Sequence, residues 1–525
     1  MSLMEITAPT IEYGLLMPFI LIFAGACLGV LVEGFAPRGS RRAAQLTIVY
    51  AAIAAALFMT LRNWTVHPPT VAAEGSVSVD GPTSFMWVIL LVFGAISFLL
   101  IADRTAENGA SVFAPQAAAV PGTESEREAA RAGVEHTEVY PLALFALSGM
   151  MLFPASNDLI TMFIALEILS LPLYVLCGLA RRRRLLSQES SLKYFLLGAM
   201  SSAIYLYGAA LLYGYAGSFD FARIDTALRG GTGDSLLLLA GMALVGVGLL
   251  FKFGAVPFHS WTPDVYAGAP TAITAFMAAC TKIAAIGALM RVFYVALGAD
   301  RWDWQPMMAI IAVATMAVGS VVAISQTDVK RMLAYSSIAH AGFLMTAFVG
   351  ASQASSGSPA GGLTSVSSVM FYLVAYGAAT LGAFAVITLV RDPSGEATLL
   401  SSWVGLARRS PAAAVVFSVF MLSFAGIPLT SGFIGKWAVF AAAWNGGAEW
   451  LVVVAVVISV IAAFFYVRVI VLMFFSEPAE GPVAVIKPGA STLVAVGVAV
   501  VATVALGLFP GPLLELAQVA GEFVR

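Results

Sequence analysis

The sequence predicts an all-α polytopic membrane protein with about fourteen transmembrane helices, an inverted five-helix repeat and two broken helices. Three observations carry this. Of the 525 residues, 60% are hydrophobic and only 11% are charged, where a soluble domain has roughly 25% charged. Fourteen apolar runs reach the ~20 residues that a span needs. Two of those runs are too long for one straight helix, and each carries a Gly/Pro interruption.

The runs fall at 10–34, 43–61, 84–102, 138–154, 158–180, 189–214, 235–266, 270–297, 305–325, 329–350, 364–390, 411–445, 450–475 and 490–509. The interruptions are FGAVP around Pro257 in the seventh run and FAGIPLTSGF around Pro428 in the twelfth. Proline removes a backbone donor and breaks a helix interior. The two prolines lie 171 residues apart, and Asp158 and Asp328, each opening a span, lie 170 apart. Five spans separate the members of each pair. An odd number reverses the direction of the second copy, so the repeat is inverted, a design in which broken helices mark an ion path. The chain is thus one membrane domain over 1–525, with a first repeat at 137–297, a second at 305–475 and a polar loop at 103–136.

Basic residues mark alternate loops: Arg38, Arg41 and Arg42; Arg104, Arg127 and Arg131; Arg181 to Arg184; Lys330 and Arg331; Arg391, Arg408 and Arg409. The positive-inside rule makes these loops, including 103–136, cytoplasmic. The run Arg181 to Arg184 reads as an orientation signal. Amphipathic surface helices are expected within 217–234 and 512–524. No basic n-region precedes the first span, so no cleaved signal peptide is expected. The net charge of −2 gives no sign of nucleic-acid binding. Cys27, Cys177 and Cys280 have no ligand spacing, so no metal or iron–sulfur site is expected in this chain.

Charge inside the spans is the informative feature. Of 27 basic residues only six are lysines, at 193, 252, 282, 330, 436 and 487, and four of these (193, 252, 282 and 436) lie more than two residues inside apolar runs. A desolvated lysine releases its proton readily, whereas arginine holds it. Glu167 is the one acid in the middle of a span. Lys252 precedes the first break, Lys282 is central in the eighth span, and Lys436 follows the second break. One carboxylate and three amines on four helices read as a proton path, because a Glu–Lys pair whose distance changes gates deprotonation of the lysine. The bland alternatives are a snorkelling Lys252 and a static buried pair for Glu167 and Lys282. Lys193 sits only a few residues inside its run. His259 and His340 read either as relays or as packed, satisfied histidines, and Glu33 as interfacial.

The stretches FKFGAVPFHSWTPDVYAGAPT, TKIAAIGALMR, SLKYFLLGAMSSAIYLYG, DVKRMLAYSSIAHAGF and FAGIPLTSGFIGKW resemble the antiporter-like membrane subunits of respiratory complex I. The likeness is greatest to the subunit N branch, the counterpart of mitochondrial NADH dehydrogenase subunit 2. Lys436 stands where subunit M has a glutamate, and no counterpart of the long lateral helix of subunit L is expected. The resemblance implies that Glu167, Lys252, Lys282 and Lys436 occupy proton-channel positions, with Lys193, His340 and His259 as further members. It implies a proton-translocating subunit of an NADH:quinone oxidoreductase in the bacterial cell membrane. FMN, iron–sulfur clusters and quinone would be handled by the other membrane and peripheral subunits, with no cofactor in this chain. The 103–136 loop is longer than the family leads one to expect. The competing class is a subunit of an Mrp-type multisubunit cation/proton antiporter. A third is a structural membrane subunit with silent channels.

Overall fold

The computed structural model describes residues 11–107, 109–114, 123–131, 135–231, 233–350, 363–393, 395–477 and 483–524. Among them, twelve helices are long and apolar enough to cross a membrane. Two more spans bring the number to fourteen: the shorter helix Val139–Ala155, and one span built from Pro411–Ala425 and Ser431–Asn445. We number the spans α1 (Tyr13–Phe35), α2 (Arg38–Val66), α3 (Gly81–Ala102), α4 (Val139–Ala155), α5 (Leu159–Cys177) and α6 (Arg184–Ala216). The seventh, α7, is broken into Ser235–Phe253 and Trp261–Gly268, and α8 runs over Thr271–Ala296 with two π-helical turns. The rest are α9 (Arg301–Ile324), α10 (Val329–Val349), α11 (Ser365–Ile387), the broken α12 (Pro411–Ala425 and Ser431–Asn445), α13 (Glu449–Phe475) and α14 (Ala490–Leu508).

Both breaks form for the same local reason. Gly254 and Gly426 adopt left-handed backbone, with φ of 78° and 80°, which glycine does without a Cβ penalty. The residue after each glycine donates back five positions, Ala255 N–H to Leu250 O and Ile427 N–H to Leu422 O, both at 3.0 Å. That is the Schellman closure of a helix C-terminus. Pro257 and Pro428 then keep the helix from resuming at once.

The internal repeat has a backbone signature. Leu159 N–H donates to Phe219 O at 3.1 Å, and Phe221 N–H to Asn157 O at 3.2 Å. In the second half, Val329 N–H donates to Thr398 O at 2.7 Å, and Leu400 N–H to Thr327 O at 2.8 Å. Each pairing ties the start of a span (α5, α10) to the start of a short helix, Phe221–Gly230 or Leu400–Trp403. Asp158 and Asp328 cap the two spans, accepting from Thr161 N–H at 2.7 Å and Arg331 N–H at 3.0 Å. The two copies run in opposite directions. Arg183, just past the end of α5, donates to Thr398 Oγ1 at 2.9 Å, so α5 ends where α10 begins.

The loops rich in basic residues gather at one end of the bundle, around a small sheet of Val390–Asp392, Gly395–Glu396 and Ala484–Val485. There the arginine run does more than the sequence suggests. Arg182 pairs with Glu107 at 3.0 Å and Arg183 reaches Thr398, while Arg184 is a buried first residue of α6. The 103–136 loop contains a short helix, Glu124–Arg131; residues 108, 115–122 and 132–134 of that loop lie outside the described set. The two expected surface helices form at Phe221–Gly230 and Gly511–Val519.

Three spans occupy the centre: α8, α10 and α11 are buried on almost every side, as helices apolar all round should be. Between α9 and α10 the backbones approach closely. A Cβ at Gly319 would lie 2.4 Å from Ala339 N, and one at Gly342 would lie 2.4 Å from Met316 N.

One fully buried ion pair locks the opposite end. Asp80, the N-cap of α3, takes Arg291 of α8 in two bonds of 2.6 and 2.9 Å. Arg291 also donates to Thr83 Oγ1 at 2.7 Å and Pro154 O at 3.2 Å. The C-terminal segment closes over the pair: Val524 N–H donates to Asp80 at 3.1 Å, and Phe523 lies 4.7 Å from the guanidinium. Arg291→Met would strand a buried carboxylate, and breaking such a pair costs about 3–5 kcal/mol. The solubilised variant should therefore melt well below wild type in a thermal assay. Equal melting points would show that the pair holds nothing together.

Candidate functional site

The first break leaves carbonyls without helical partners, as every helix C-terminus does. Here they lie inside the bundle, away from water. Phe251 O accepts from the Trp261 indole at 2.9 Å, and Phe253 O accepts from Lys282 Nζ at 3.2 Å. Lys282 follows the π-helical turn Met277–Thr281 of α8 and is buried. Its amine also lies 5.1 Å from the Phe253 ring. Such π turns recur at functional sites.

The second break repeats the arrangement. Lys436, five residues into the second segment of α12, reaches back and donates to Ala425 O, the last residue of the first segment, at 3.1 Å. It also donates to Ser459 Oγ of α13 at 2.8 Å and lies 4.8 Å from the Phe343 ring. Negative partial charge concentrates at helix C-termini, so each broken helix presents an attractive site for an ammonium group without supplying a full negative charge.

Lys252 is buried one residue before the end of the first α7 segment. It does not snorkel. It donates to Ser170 Oγ of α5 at 2.8 Å and to the Tyr194 hydroxyl of α6 at 2.9 Å, with the Tyr194 ring 4.9 Å away. Glu167 lies one turn before Ser170 on α5, within electrostatic reach of Lys252. Their carboxylate and ammonium are not in a salt bridge, and Glu167 Oε1 is buried without a hydrogen-bond partner. A static buried Glu–Lys pair is therefore not the arrangement found.

His340, buried on α10, sits among tyrosines. Its Nδ1 is 2.5 Å from the Tyr372 hydroxyl and its Nε2 3.2 Å from that of Tyr466, which is 2.5 Å from Ser336 Oγ. Both Lys282 and Lys436 lie within electrostatic reach of the ring. The order Glu167, Lys252, Lys282, His340, Lys436 thus crosses the bundle from the first repeat to the second.

A family model described as NADH:quinone oxidoreductase/Mrp antiporter, TM matches residues 156–462. NADH-quinone oxidoreductase subunit N of a Nocardioides species is 58% identical over 99% of this chain and 100% of its own. The chain belongs to the subunit N family of bacterial NADH-quinone oxidoreductase. The subunit N of Rhodococcus opacus is 56% identical over 99% of this chain and 98% of its own. A chain of respiratory complex I from Thermus thermophilus, solved with bound aureothin, superposes with a TM-score of 0.74 at 33% identity, over 96% of this chain and 100% of that one. The Mrp complex of a Dietzia species gives a TM-score of 0.77 at 21% identity, over 97% of each chain, which is a likeness of fold alone. The fourteen spans make this chain a multi-pass membrane protein.

Two residues named with the subunit N pattern stand apart from the buried line. Lys193 is 44% exposed on α6, in ion pairs with Glu189 at 2.7 Å and Asp264 at 2.9 Å. Because α6 starts at Arg184, five residues before the run read from hydropathy, Lys193 lies deeper along the helix than expected. His259 is half-buried in the α7 gap beside Pro257. Sequence reasoning missed Lys330. It reads as a loop charge, yet it is a buried residue of α10 whose Nζ donates to Ala269 O at 2.8 Å. Its rarity as a lysine among arginines was the available signal. Among the described residues, no three His, Cys, Asp or Glu side chains are grouped to hold a metal ion.

The hydroxyl cradle of Lys252 generates a prediction. A single hydrogen bond contributes about 1 kcal/mol, so Ser170→Ala and Tyr194→Phe should each be mild. The double variant leaves the amine without a hydroxyl, and its loss should exceed the sum of the two. Melting of the solubilised complex measures this, and strict additivity would mean that the two hydroxyls do not share one amine.

Proposed function

We propose that this chain translocates protons as a membrane subunit of a bacterial NADH:quinone oxidoreductase, working as an enzyme only within that complex. NADH oxidation through FMN and iron–sulfur clusters, and quinone reduction, then belong to partner subunits. The two repeats, 137–297 and 305–475, each contribute one broken helix to the path. One observation carries the reading: Lys252, Lys282 and Lys436 are buried, and each rests on neutral acceptors, hydroxyls or carbonyls, instead of a carboxylate. A carboxylate would strongly favour the charged amine. A carbonyl or hydroxyl accepts a hydrogen bond from a neutral amine as well as from an ammonium, so the site accommodates both states.

Glu167 supplies the bias. Two unit charges 4 Å apart attract by about 4 kcal/mol at an effective dielectric near 20, enough to move a protonation equilibrium by orders of magnitude. Approach of the Glu167 carboxylate loads Lys252, and withdrawal releases the proton toward Lys282. His340, with Tyr372 and Tyr466 on its two nitrogens, then joins the Lys282 and Lys436 sites. Lys193 and His259 are proposed as peripheral members, the former through its pair with Asp264.

Lys282 tests the reading. Arginine keeps the cation but resists deprotonation, and methionine removes the charge at similar length. Both Lys282→Arg and Lys282→Met should depress proton pumping in vesicles, and the NADH oxidation coupled to it, in complexes shown intact on native gels. Full pumping by the arginine variant would mean that only a fixed charge is needed there.

A further inference from the structure

At the basic end, where the two repeats meet, lies a cavity of about 70 Å³ that the translocation path described above does not use. It has room for several waters. Its wall holds three acids (Asp103, Glu107 and Glu396) and, on its inner side, Lys330.

The three acids are not equivalent. Glu107 is claimed by two guanidinium groups, Arg182 at 3.0 Å and Arg391 in direct contact. Burial works against ionisation of Asp103, but hydrogen bonds from Thr492, Thr105 and Ser491 outweigh it and hold its carboxyl below the usual carboxylate range. Glu396 differs. Its carboxylate accepts from Thr271 Oγ1, while the cations paired with that carboxylate, Arg391 at 3.9 Å and Lys330 at 4.0 Å, stand outside hydrogen-bond range; Arg183 donates instead to the Glu396 backbone carbonyl at 3.3 Å. Glu396 is 21% exposed and Lys330 only 3%, so the pair spans the step from cavity to interior.

A row of buried polar residues on α10 leads from Lys330 into the bundle. Lys330 is followed there at intervals of seven and three residues by Ser337 and His340, all three buried. Ten residues of helix rise about 15 Å. Ser337 lies near Tyr266 and Tyr376, and Thr380 near Tyr376, but Ser337 Oγ and Thr380 Oγ1 are buried without a hydrogen-bond partner among the described residues, so the line has hydroxyls free to take up a proton relay. The Tyr376 ring centroid is 4.9 Å from that of His340. On another side, the Cys177 thiol is within electrostatic reach of both Lys330 and Lys252. Arg183, Arg182 and Asp103 complete the charged surroundings of this end.

We propose that this cavity is a proton-uptake vestibule, in which Glu396 takes protons from the aqueous phase and Lys330 relays them along α10 toward His340. The proposal rests on the proton-translocating reading of the chain. The positive-inside rule puts the vestibule on the cytoplasmic side. Each transfer moves one proton between an oxygen and a nitrogen acid–base group, from carboxyl to amine and onward through hydroxyls to imidazole, with no change in redox state.

Two measurements test it. In the intact wild-type complex, a hydrophobic carbodiimide, which reacts with protonated carboxyl groups, should label Glu396 but neither Glu107 nor Asp103. Peptide mass spectrometry should show the labelling rising as pH falls. In vesicles, Glu396→Gln should lower the number of protons pumped per NADH, and Glu396→Asp, still titratable, should recover a substantial part of it. An unlabelled Glu396 in a complex that pumps, or a glutamine variant that pumps like wild type, overturns the vestibule and leaves the translocating role of the chain standing. An aspartate variant as impaired as the glutamine one would make Glu396 a structural contact. Loss of pumping by the wild-type complex itself would instead remove the reading on which the vestibule rests.

Discussion

Three lysine amines in this protein each rest on a carbonyl freed where a helix ends inside the bundle. Lys282 takes Phe253 O, Lys330 takes Ala269 O and Lys436 takes Ala425 O. The constraint behind this is general. A helix terminus away from water must find partners for its last carbonyls, and a buried amine must find acceptors for its hydrogens. The breaks of α7 and α12 create the first need at Phe253 and Ala425, the end of the second α7 segment creates it at Ala269, and the lysines answer it. Because the partner is a dipole and not an ion, the bond survives when the amine becomes neutral. The backbone break and the lysine are therefore one feature, and in the proposed path it is the place where an amine changes charge.

The two repeats use the feature unequally. The first surrounds its break with Lys252 and Lys282 and keeps Glu167 one turn from the Ser170 cradle. The second has Lys436 alone at its break, and His340 with its tyrosines fills the space between. The fixed charges are kept apart from these sites. Asp80 and Arg291 neutralise each other at one end, while Glu107 ties Arg182 and Arg391 at the other. Arginine thus holds the ends of the bundle together, while Lys252, Lys282 and Lys436 occupy its middle.

Much of this was legible in the sequence. Span number, both breaks and the inverted repeat follow from apolar run length and from the positions of glycine, proline and aspartate, which act locally. Glu167, Lys252, Lys282 and Lys436 stand out because charge within an apolar run has few alternatives. What the sequence hid was partnership. Nothing in the spacing says that Lys252 binds Ser170 and Tyr194 and not Glu167, since α5, α6 and α7 meet only through tertiary packing. Lys330 was concealed by Arg331 beside it, which made the pair look like a loop signal although helix α10 begins at Val329. Asp80 and Arg291 are 211 residues apart, and no periodicity links them. The start of α6 was displaced because Arg184, Ser187 and Gln188 interrupt the hydropathy of its first turn, where Ser187 accepts from Ala180 N–H and donates to Cys177 O.

The central claim is that the Glu167 carboxylate sets the protonation of Lys252 without neutralising it permanently. The direct measurement is the number of protons pumped per NADH oxidised in vesicles containing the intact Glu167→Gln complex, with assembly checked on native gels. Glutamine keeps the shape and removes the charge. The account predicts a fully assembled complex with a clearly lowered proton-to-NADH ratio. An assembled complex that pumps at the wild-type ratio would contradict it and leave Glu167 a structural residue of α5.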